Sequence, residues 1–389
     1  MKRVVWTVLV SVGLGAVACA GTGEGPARAT RAPEVPQSPR VVGSKLTAPV
    51  VMSSVGGLAD DNTVVGMAVV EGEDRAFPVV WPTGTAGEEL ALSVESVNSS
   101  ALAISGNGDV AGQHISEEHL VGVVRWAPGG QAAVPVEMET LGGPLTSVKD
   151  MNASGEAVGI SQTGDGEVPQ AVRWDRSGAV TALGPLTESH VSAAFGMNDE
   201  GVVVGQSGLT DLLGPAVRWD RDGTITELAL PAWARSAVAN AVNRAGVIVG
   251  AAGTEDVLGH IRDTEPTVRA VRWKPGGTVD SLPAPEGAAS AAWDINDAGE
   301  AVGALRLPGG TERAVRWSPD GTRTELSPLR GDTASFAHAI NNRGYAAGES
   351  IDAEGRTYAV MWHPDGRVTA LDRHRPSQHT TLSPTPTSH

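Results

Sequence analysis

Apolar runs of four to seven residues alternate with clusters of Gly, Asn, Asp and Pro along most of the chain, and 191–230 shows the pattern most plainly. There 191–197, 202–206, 216–219 and 224–228 read as four strands. Asn198 to Gly201 and Asp220 to Gly223 are the turn signals between the first and last pairs. The runs lack the 3.6-residue spacing of an amphipathic helix, which argues against a helical solenoid.

Two landmarks show that this unit repeats. A Gly closes the second run at Gly66, Gly112, Gly159, Gly205, Gly250, Gly303 and Gly348. A Trp stands in the third run at Trp81, Trp126, Trp174, Trp219, Trp273, Trp317 and Trp362. Most intervals are 44 to 48 residues, and the single long interval in each series marks one insertion between Gly250 and Trp273. Four strands per unit at a period near 45 predict an all-β, seven-bladed β-propeller of four-stranded antiparallel blades. The blades are expected at 49–95, 96–142, 143–186, 187–231, 232–284, 285–329 and 330–371. One blade cannot bury both its faces, so the units must stack, and closing them into a ring removes most exposed sheet edges.

An N-x-x-G signal joins the first two strands, from Asn152, Asn198, Asn243, Asn296 and Asn341. Asn can hydrogen-bond its own backbone two residues on, and Gly tolerates positive φ. In the first two units Ala59 and Ser105 replace the Asn, and Asn62 stands where the first Gly should be, so looser turns are expected there. In A-V-R-W, alternation puts Val and Trp on one face. The recurring Trp is read as packing between blades, with a ring of ligand-stacking aromatics as the sharper alternative. The Arg before it (Arg125, Arg173, Arg218, Arg272, Arg316) is read as a hydrogen bond or ion pair between blades.

The stretch 181–205 (TALGPLTESHVSAAFGMNDEGVVVG), together with 292–303 and 337–348, resembles the HAF repeat of bacterial exported proteins. That repeat has an A-x-x-I-N-x-x-G-x-V-V-G core. Its eponymous tripeptide is degenerate here, as in Arg75-Ala76-Phe77 and Tyr358-Ala359-Val360. The resemblance covers about 49–371 and implies an exported, propeller-like protein. It brings no catalytic residues.

The ends read differently. Lys2 and Arg3 precede an apolar run that ends at Ala18, too short for an ordinary membrane span, so 1–18 is expected to be a signal peptide. Cys19, the single cysteine, follows Ala16-Val17-Ala18 and is the expected lipidation site; plain cleavage and soluble secretion is the other reading. The outer membrane or cell surface is then the expected location. No disulfide can hold the ring. Residues 19–48, rich in Gly, Pro, Ala and Arg, read as a flexible tether, and 372–389 as a disordered tail. Within the tether, 40–46 (RVVGSKL) aligns with a fourth strand, so 41–45 is expected near the seventh blade. The last unit, however, has its own candidate at 367–371.

The 49 glycines fit many tight turns, and aromatics are only 4% of the chain, so the core is Val, Ala and Leu with one large anchor per blade. The net charge of −16 argues against nucleic acid as a partner and makes a cationic partner or a polyvalent metal electrostatically easier.

Candidate chemistry is sought where copies differ, in the loops after strands two and four, which share one end of the ring. The blade-five insertion (TEDVLGHIRDTEPT) carries His260 and Asp263. On the same end lie His190, Trp233, Arg235, Arg330 and Asp332, with Trp233 as an exposed stacking platform. These seven are the expected ligand-binding residues. His114 to His119 (HISEEH) matches no zinc motif, and Asp220 to Gly223 reads as a hairpin turn rather than a calcium loop. No catalytic residue, metal site or cofactor is implied, since no nucleophile elbow, phosphate loop or dinucleotide fingerprint is present. The sequence favours a monomeric, non-catalytic extracellular module that binds a glycan, peptide or protein. An enzyme acting on an extracellular polymer at the channel mouth and a structural envelope protein are the alternatives. The enzyme reading requires two carboxylates, or a His and a carboxylate, in one pocket.

Overall fold

The computed structural model describes residues 46, 48–83, 87–90, 92, 96–117, 120–128, 135–164, 168–186, 191–208, 214–254 and 268–372. They form seven sheets of four strands. Blade one is Val50–Leu58, Val64–Val70, Phe77–Trp81 and Glu88–Glu89 (β1–β4). Blade two is Asn98–Ile104, Val110–Ile115, Val121–Trp126 and Val136–Glu137 (β5–β8). Blade three is Gly142–Met151, Ala157–Thr163, Pro169–Trp174 and Val180–Ala182 (β9–β12). Blade four is Val191–Met197, Val203–Gly208, Ala216–Trp219 and Ile225–Glu227 (β13–β16). Blade five is Ser236–Val242, Ile248–Gly253, Arg269–Trp273 and Val279–Ser281 (β17–β20). Blade six is Ala289–Ile295, Ala301–Arg306, Glu312–Trp317 and Arg323–Leu326 (β21–β24). Blade seven is Ala334–Ile340, Ala346–Ile351, Thr357–Trp362 and Val368–Ala370 (β25–β28).

Within every sheet the strands follow chain order and pair antiparallel. The first strands touch their counterparts in both neighbouring blades, and β25 touches β1, so they form the inner wall of a closed ring. The chain is a seven-bladed β-propeller. Among the described residues no helix is long and apolar enough to cross a membrane.

The two landmarks share one cause. The first strand of each blade carries a bulge opposite the landmark Gly, at Gly56, Leu102, Lys149, Phe195, Asn240, Trp293 and His338. The bulge brings first-strand backbone onto the second strand. A Cβ on Gly205 would stand 2.0 Å from the Ala193 carbonyl oxygen, and one on Gly250 would stand 1.9 Å from that of Val238. The landmark Trp fills the space above this Gly, as at Gly112, where a Cβ would meet the Trp126 ring at 2.9 Å. All seven landmark Trp are at most 1% exposed. Each such burial contributes about 5 kcal/mol at most. The indole N–H also reaches past the outer strand of the preceding blade: Trp174 donates to the Glu139 carbonyl at 2.7 Å, Trp219 to Gly184 at 3.0 Å and Trp273 to Ala229 at 2.7 Å. Packing between blades is therefore the role of this Trp, and the alternative of an open aromatic ring is ruled out by its burial.

The turn Asn links blades as well as closing turns. Asn198 Oδ1 accepts the Val202 N–H at 2.9 Å, while its Nδ2 crosses to the Asn243 carbonyl at 3.0 Å. Asn243 repeats this with Asn296, and Asn296 with Asn341, each at 3.1 Å. The recurring Arg reaches forward in the same direction: Arg173 Nη2 donates to the Gly201 carbonyl, Arg272 to Gly299 and Arg316 to Gly344. Arg218 is the exception and bonds Asp220 in its own turn.

The first two turns are not looser. Asn62 adopts φ 71°, the left-handed conformation that Gly takes elsewhere and that Asn tolerates. Its N–H bonds the Ala59 carbonyl at 3.0 Å, the same closure as in the other turns. In blade two the Ser105 hydroxyl accepts the Asp109 N–H at 3.1 Å in place of the Asn side chain.

The ends of the ring meet without a shared sheet among the described residues. Blade seven takes Val368–Ala370 as its own outer strand, and 41–45 lie outside the described residues. Leu46 and Ala48, which sequence assigned to the tether, pack with Leu371 and the blade-one core. Asp372, assigned to the tail, accepts the Trp81 indole N–H at 3.0 Å and also the Ser53 hydroxyl. It stands where the preceding blade's backbone carbonyl stands for other Trp residues.

Candidate functional site

The seven inner strands enclose a central channel. At the end carrying the N-x-x-G turns it opens into a cavity of about 390 Å³. Five aspartates line this basin, Asp60, Asp150, Asp199, Asp294 and Asp297, with Arg244 as its single basic side chain among the described lining residues. Three of the aspartates sit just after the landmark Asn position and tie turn to turn. Asp60 accepts the Asn342 N–H at 2.8 Å, Asp199 the Ala153 N–H at 2.8 Å and Asp297 the Arg244 N–H at 2.9 Å. Arg244 also pairs with Asp199 at 3.1 Å and Glu200 at 3.4 Å across the exposed rim.

Asp150 and Asp294 differ. They occupy equivalent positions in blades three and six, where blades one and four have Gly57 and Gly196 and blades two, five and seven have Ala103, Ala241 and Ala339. Each carboxylate spans two blades. Asp150 accepts the Met151 and Met197 N–H groups, both at 2.7 Å, and Asp294 accepts those of Ile295 at 2.8 Å and Ile340 at 2.7 Å. Both are half-buried: water reaches them from the channel, yet protein surrounds them. Burial pushes the Asp150 carboxyl up to about 7 against the pull of its two backbone donors, with the Asp294 and Asp199 charges adding to the rise. Burial likewise pushes Asp294 up to about 6. The Asp294 charge acting on Asp150 places blades three and six within electrostatic reach across the channel.

One residue deeper lie the bulge side chains. The Trp293 and His338 rings stack at 4.8 Å between centroids and 14° between planes, and Phe336 lies parallel to His338 at 6.4 Å and 11°. The Trp293 indole N–H is buried and unbonded. Neither His338 nitrogen makes a hydrogen bond, although Nε2 lies 3.5 Å from Glu349 Oε2. Glu349, 8% exposed, takes the Ser54 hydroxyl of blade one through its other oxygen. Across the channel, burial pushes the Lys149 ammonium below the usual lysine range, with no charged partner acting on it.

Four of the seven residues expected to bind ligand lie among the described residues. His190, His260 and Asp263 lie outside the described residues, as do Cys19 and 255–267 of the blade-five insertion. Trp233 is half-buried against the blade-five core, with the Arg269 guanidinium 5.5 Å above its ring, so it is not an exposed platform. Arg235 is exposed, and its N–H donates to the Gly253 carbonyl at 2.8 Å. Arg330 is exposed, whereas Asp332 is half-buried and accepts the Ser350 hydroxyl. Asp220 to Gly223 forms the expected hairpin turn, with Thr224 N–H on Asp222 at 2.9 Å. His114 Nε2 lies 3.3 Å from Glu137, and among the described residues no group of three or more metal-binding side chains converges.

Sequence reasoning looked for departures from the repeat only in loops. Lys149, Asp150, Trp293, Asp294, His338 and Glu349 are departures within strands. For Asp150 and Asp294 the signal was a carboxylate in a column where every other copy carries Gly or Ala, for Glu349 a charge where no other copy has one, and for Lys149, Trp293 and His338 a column whose residue differs in all seven copies.

No family model matches the chain, and no curated protein matches it in sequence. Solved structures share its fold. The β-propeller domain of the trilobed protease from Pyrococcus furiosus, described as having an open velcro topology, aligns with a TM-score of 0.57 and 13% identity, over 84% of this chain and 96% of that one. A catalytically inactive virginiamycin B lyase from Staphylococcus aureus, bound to quinupristin, gives 0.51 and 13%, over 79% and 94%. A puromycin hydrolase mutant gives 0.56 and 12%, over 87% of this chain and 56% of that one. At these identities the likeness is one of fold, and the propeller is a scaffold that this chain shares with hydrolases and lyases.

Proposed function

We propose that this chain is an exported, non-catalytic binding module whose ligand enters the central channel, and that Cys19 carries a lipid anchor. One observation supports the binding role above others. The repeated side chains are spent on packing and on links between blades, while the channel gathers non-repeated aromatic and charged side chains, among which the Trp293 indole N–H and both His338 nitrogens lack partners. The Lys2-Arg3 start, the apolar run and Cys19 support export and anchoring. A glycan and peptide array probed with the full chain tests the binding role. Reproducible capture that is lost on heating past unfolding is expected, and a blank array overturns it.

A second reading, hydrolysis of an extracellular polymer, draws support from Asp150 and Asp294, two carboxyls pushed up toward neutrality that face one basin. Against it, both oxygens of each carboxyl already accept backbone N–H groups, so each side chain is engaged as a link between two blades. Turnover of an array ligand that Asp150→Asn abolishes without affecting binding would establish the enzyme reading.

A further inference from the structure

We propose that the bulge layer of the channel is a binding site for a planar, singly charged organic anion, with the aromatic carboxylates as its chemical class. The inference rests on the channel being a ligand site and names what the deep layer recognises.

Three groups at one depth carry it. Lys149, Trp293 and His338 occupy the same bulge position in blades three, six and seven; blades one, two and four have Gly56, Leu102 and Phe195 there, and Asn240 of blade five is satisfied within the protein by the Ala292 carbonyl at 2.8 Å. The Trp293 indole N–H and both His338 ring nitrogens are buried without a hydrogen-bond partner, and the Lys149 ammonium, half-buried at the same register position, has no ion-pair partner beside it among the described residues. A buried donor left unbonded costs stability, and an apolar residue at the same place would avoid that cost. The ammonium and the indole can only donate, and the imidazole can donate from one nitrogen. An acceptor is what the two obligatory donors lack, and the ammonium favours one with negative charge.

Shape narrows the class. Trp293, His338 and Phe336 lie within 24° of one another and form a stack of near-parallel rings shared by blades six and seven. A planar ring stacks there with its charged end toward blade three. Asp150 and Asp294 stand one residue nearer the basin, and Glu349 lies behind His338, so a second negative charge on the ligand would meet carboxylates on its way in. One carboxylate on an otherwise uncharged ring satisfies both conditions.

Isothermal titration calorimetry of the full chain with 2-naphthoate, 2-naphthylmethanol and 2-naphthylmethylamine tests the inference. Naphthoate is expected to bind one to one, and at least tenfold more tightly than the alcohol. Lys149→Met is expected to weaken naphthoate at least tenfold and to raise the melting temperature, because it removes a partly desolvated charge while keeping the side chain's length. Trp293→Phe, which keeps a ring and removes the N–H, is expected to weaken it about threefold to fivefold.

Equal binding of naphthoate and the alcohol overturns the inference, as does naphthoate binding that Lys149→Met leaves unchanged. Binding of the amine alone also overturns it, yet leaves the channel a ligand site with the basin aspartates as its recognition groups. If no probe binds, the anion site is refuted, and the array result still decides the broader binding role.

Discussion

Asn341 Nδ2 donates to the carbonyl oxygen of Ala59 at 3.0 Å, across 282 residues of chain, and so closes the ring with the same bond that joins its interior blades. The Asn62 side chain accepts from the same nitrogen at 2.8 Å, and Asn341 Oδ1 takes the Arg343 and Tyr345 N–H groups. One amide thus serves its own turn and the seam between the last blade and the first.

Asn341→Ala is expected to lower unfolding free energy by about 3 kcal/mol, since it strands buried groups on both sides of the seam. Asn152→Ala is the control, because the Asn152 Nδ2 stays in its own turn on Glu156 at 2.9 Å. About 1–2 kcal/mol is expected there. Urea midpoints of the two variants decide whether the seam bond carries the difference.

Glycines at two kinds of site should respond differently to Ala. Gly205→Ala drives a methyl to 2.0 Å from a backbone oxygen, so the bulge must open, and loss of the folded state is expected. Gly223 has φ 88° and nothing within 4 Å of its would-be Cβ, so Gly223→Ala meets only backbone strain, about 1–2 kcal/mol. Circular dichroism melts separate the two outcomes.

Asp372 gives a test of closure at the outer edge. Asp372→Ala removes the acceptor of the Trp81 indole and of the Ser53 hydroxyl, and a loss of about 1–3 kcal/mol is expected. Asp372→Asn keeps an oxygen for the indole and should retain most of the stability. Equal melting temperatures for all three proteins would show that the first and last blades meet without this residue.

The pH dependence of stability should run against the usual sense for carboxylates. Asp150 and Asp294 have folded-state values of about 7 and about 6, above the ordinary 3.8, and burial raises Asp372 in the same direction. The folded chain therefore holds protons that the unfolded chain has already released. This stabilisation is complete below the unfolded value and is lost as pH rises through 6 and 7. Asp175, Asp222, Asp320 and Asp365, held below the ordinary value by hydrogen bonds in their own turns, act oppositely and lose their contribution as pH falls toward their folded values. Greatest stability is expected near pH ~4, with a decline that runs from there until the folded carboxyls ionise at about 6 and about 7. The double variant Asp150→Asn, Asp294→Asn should flatten that decline in urea titrations across pH.

The sequence by itself determined the blade. Period, strand order, turn positions and the packing role of the landmark Trp follow from local rules, because alternation and turn chemistry act over a few residues and are repeated seven times. It also marked the Gly that recurs in every second strand, but neither the bulge opposite it nor the reason for it, since the backbone that would strike a Cβ belongs to the neighbouring strand. Tertiary structure alone decided the seam and the site. Whether Asn341 finds Ala59, or Trp81 finds Asp372, depends on how far each blade turns relative to the last. The site follows the same logic. Lys149, Trp293 and His338 are 144 and 45 residues apart, and each looks like an ordinary slip in an inner strand. Only a closed ring brings one register position from seven blades around a single axis, where isolated departures from the repeat become neighbours.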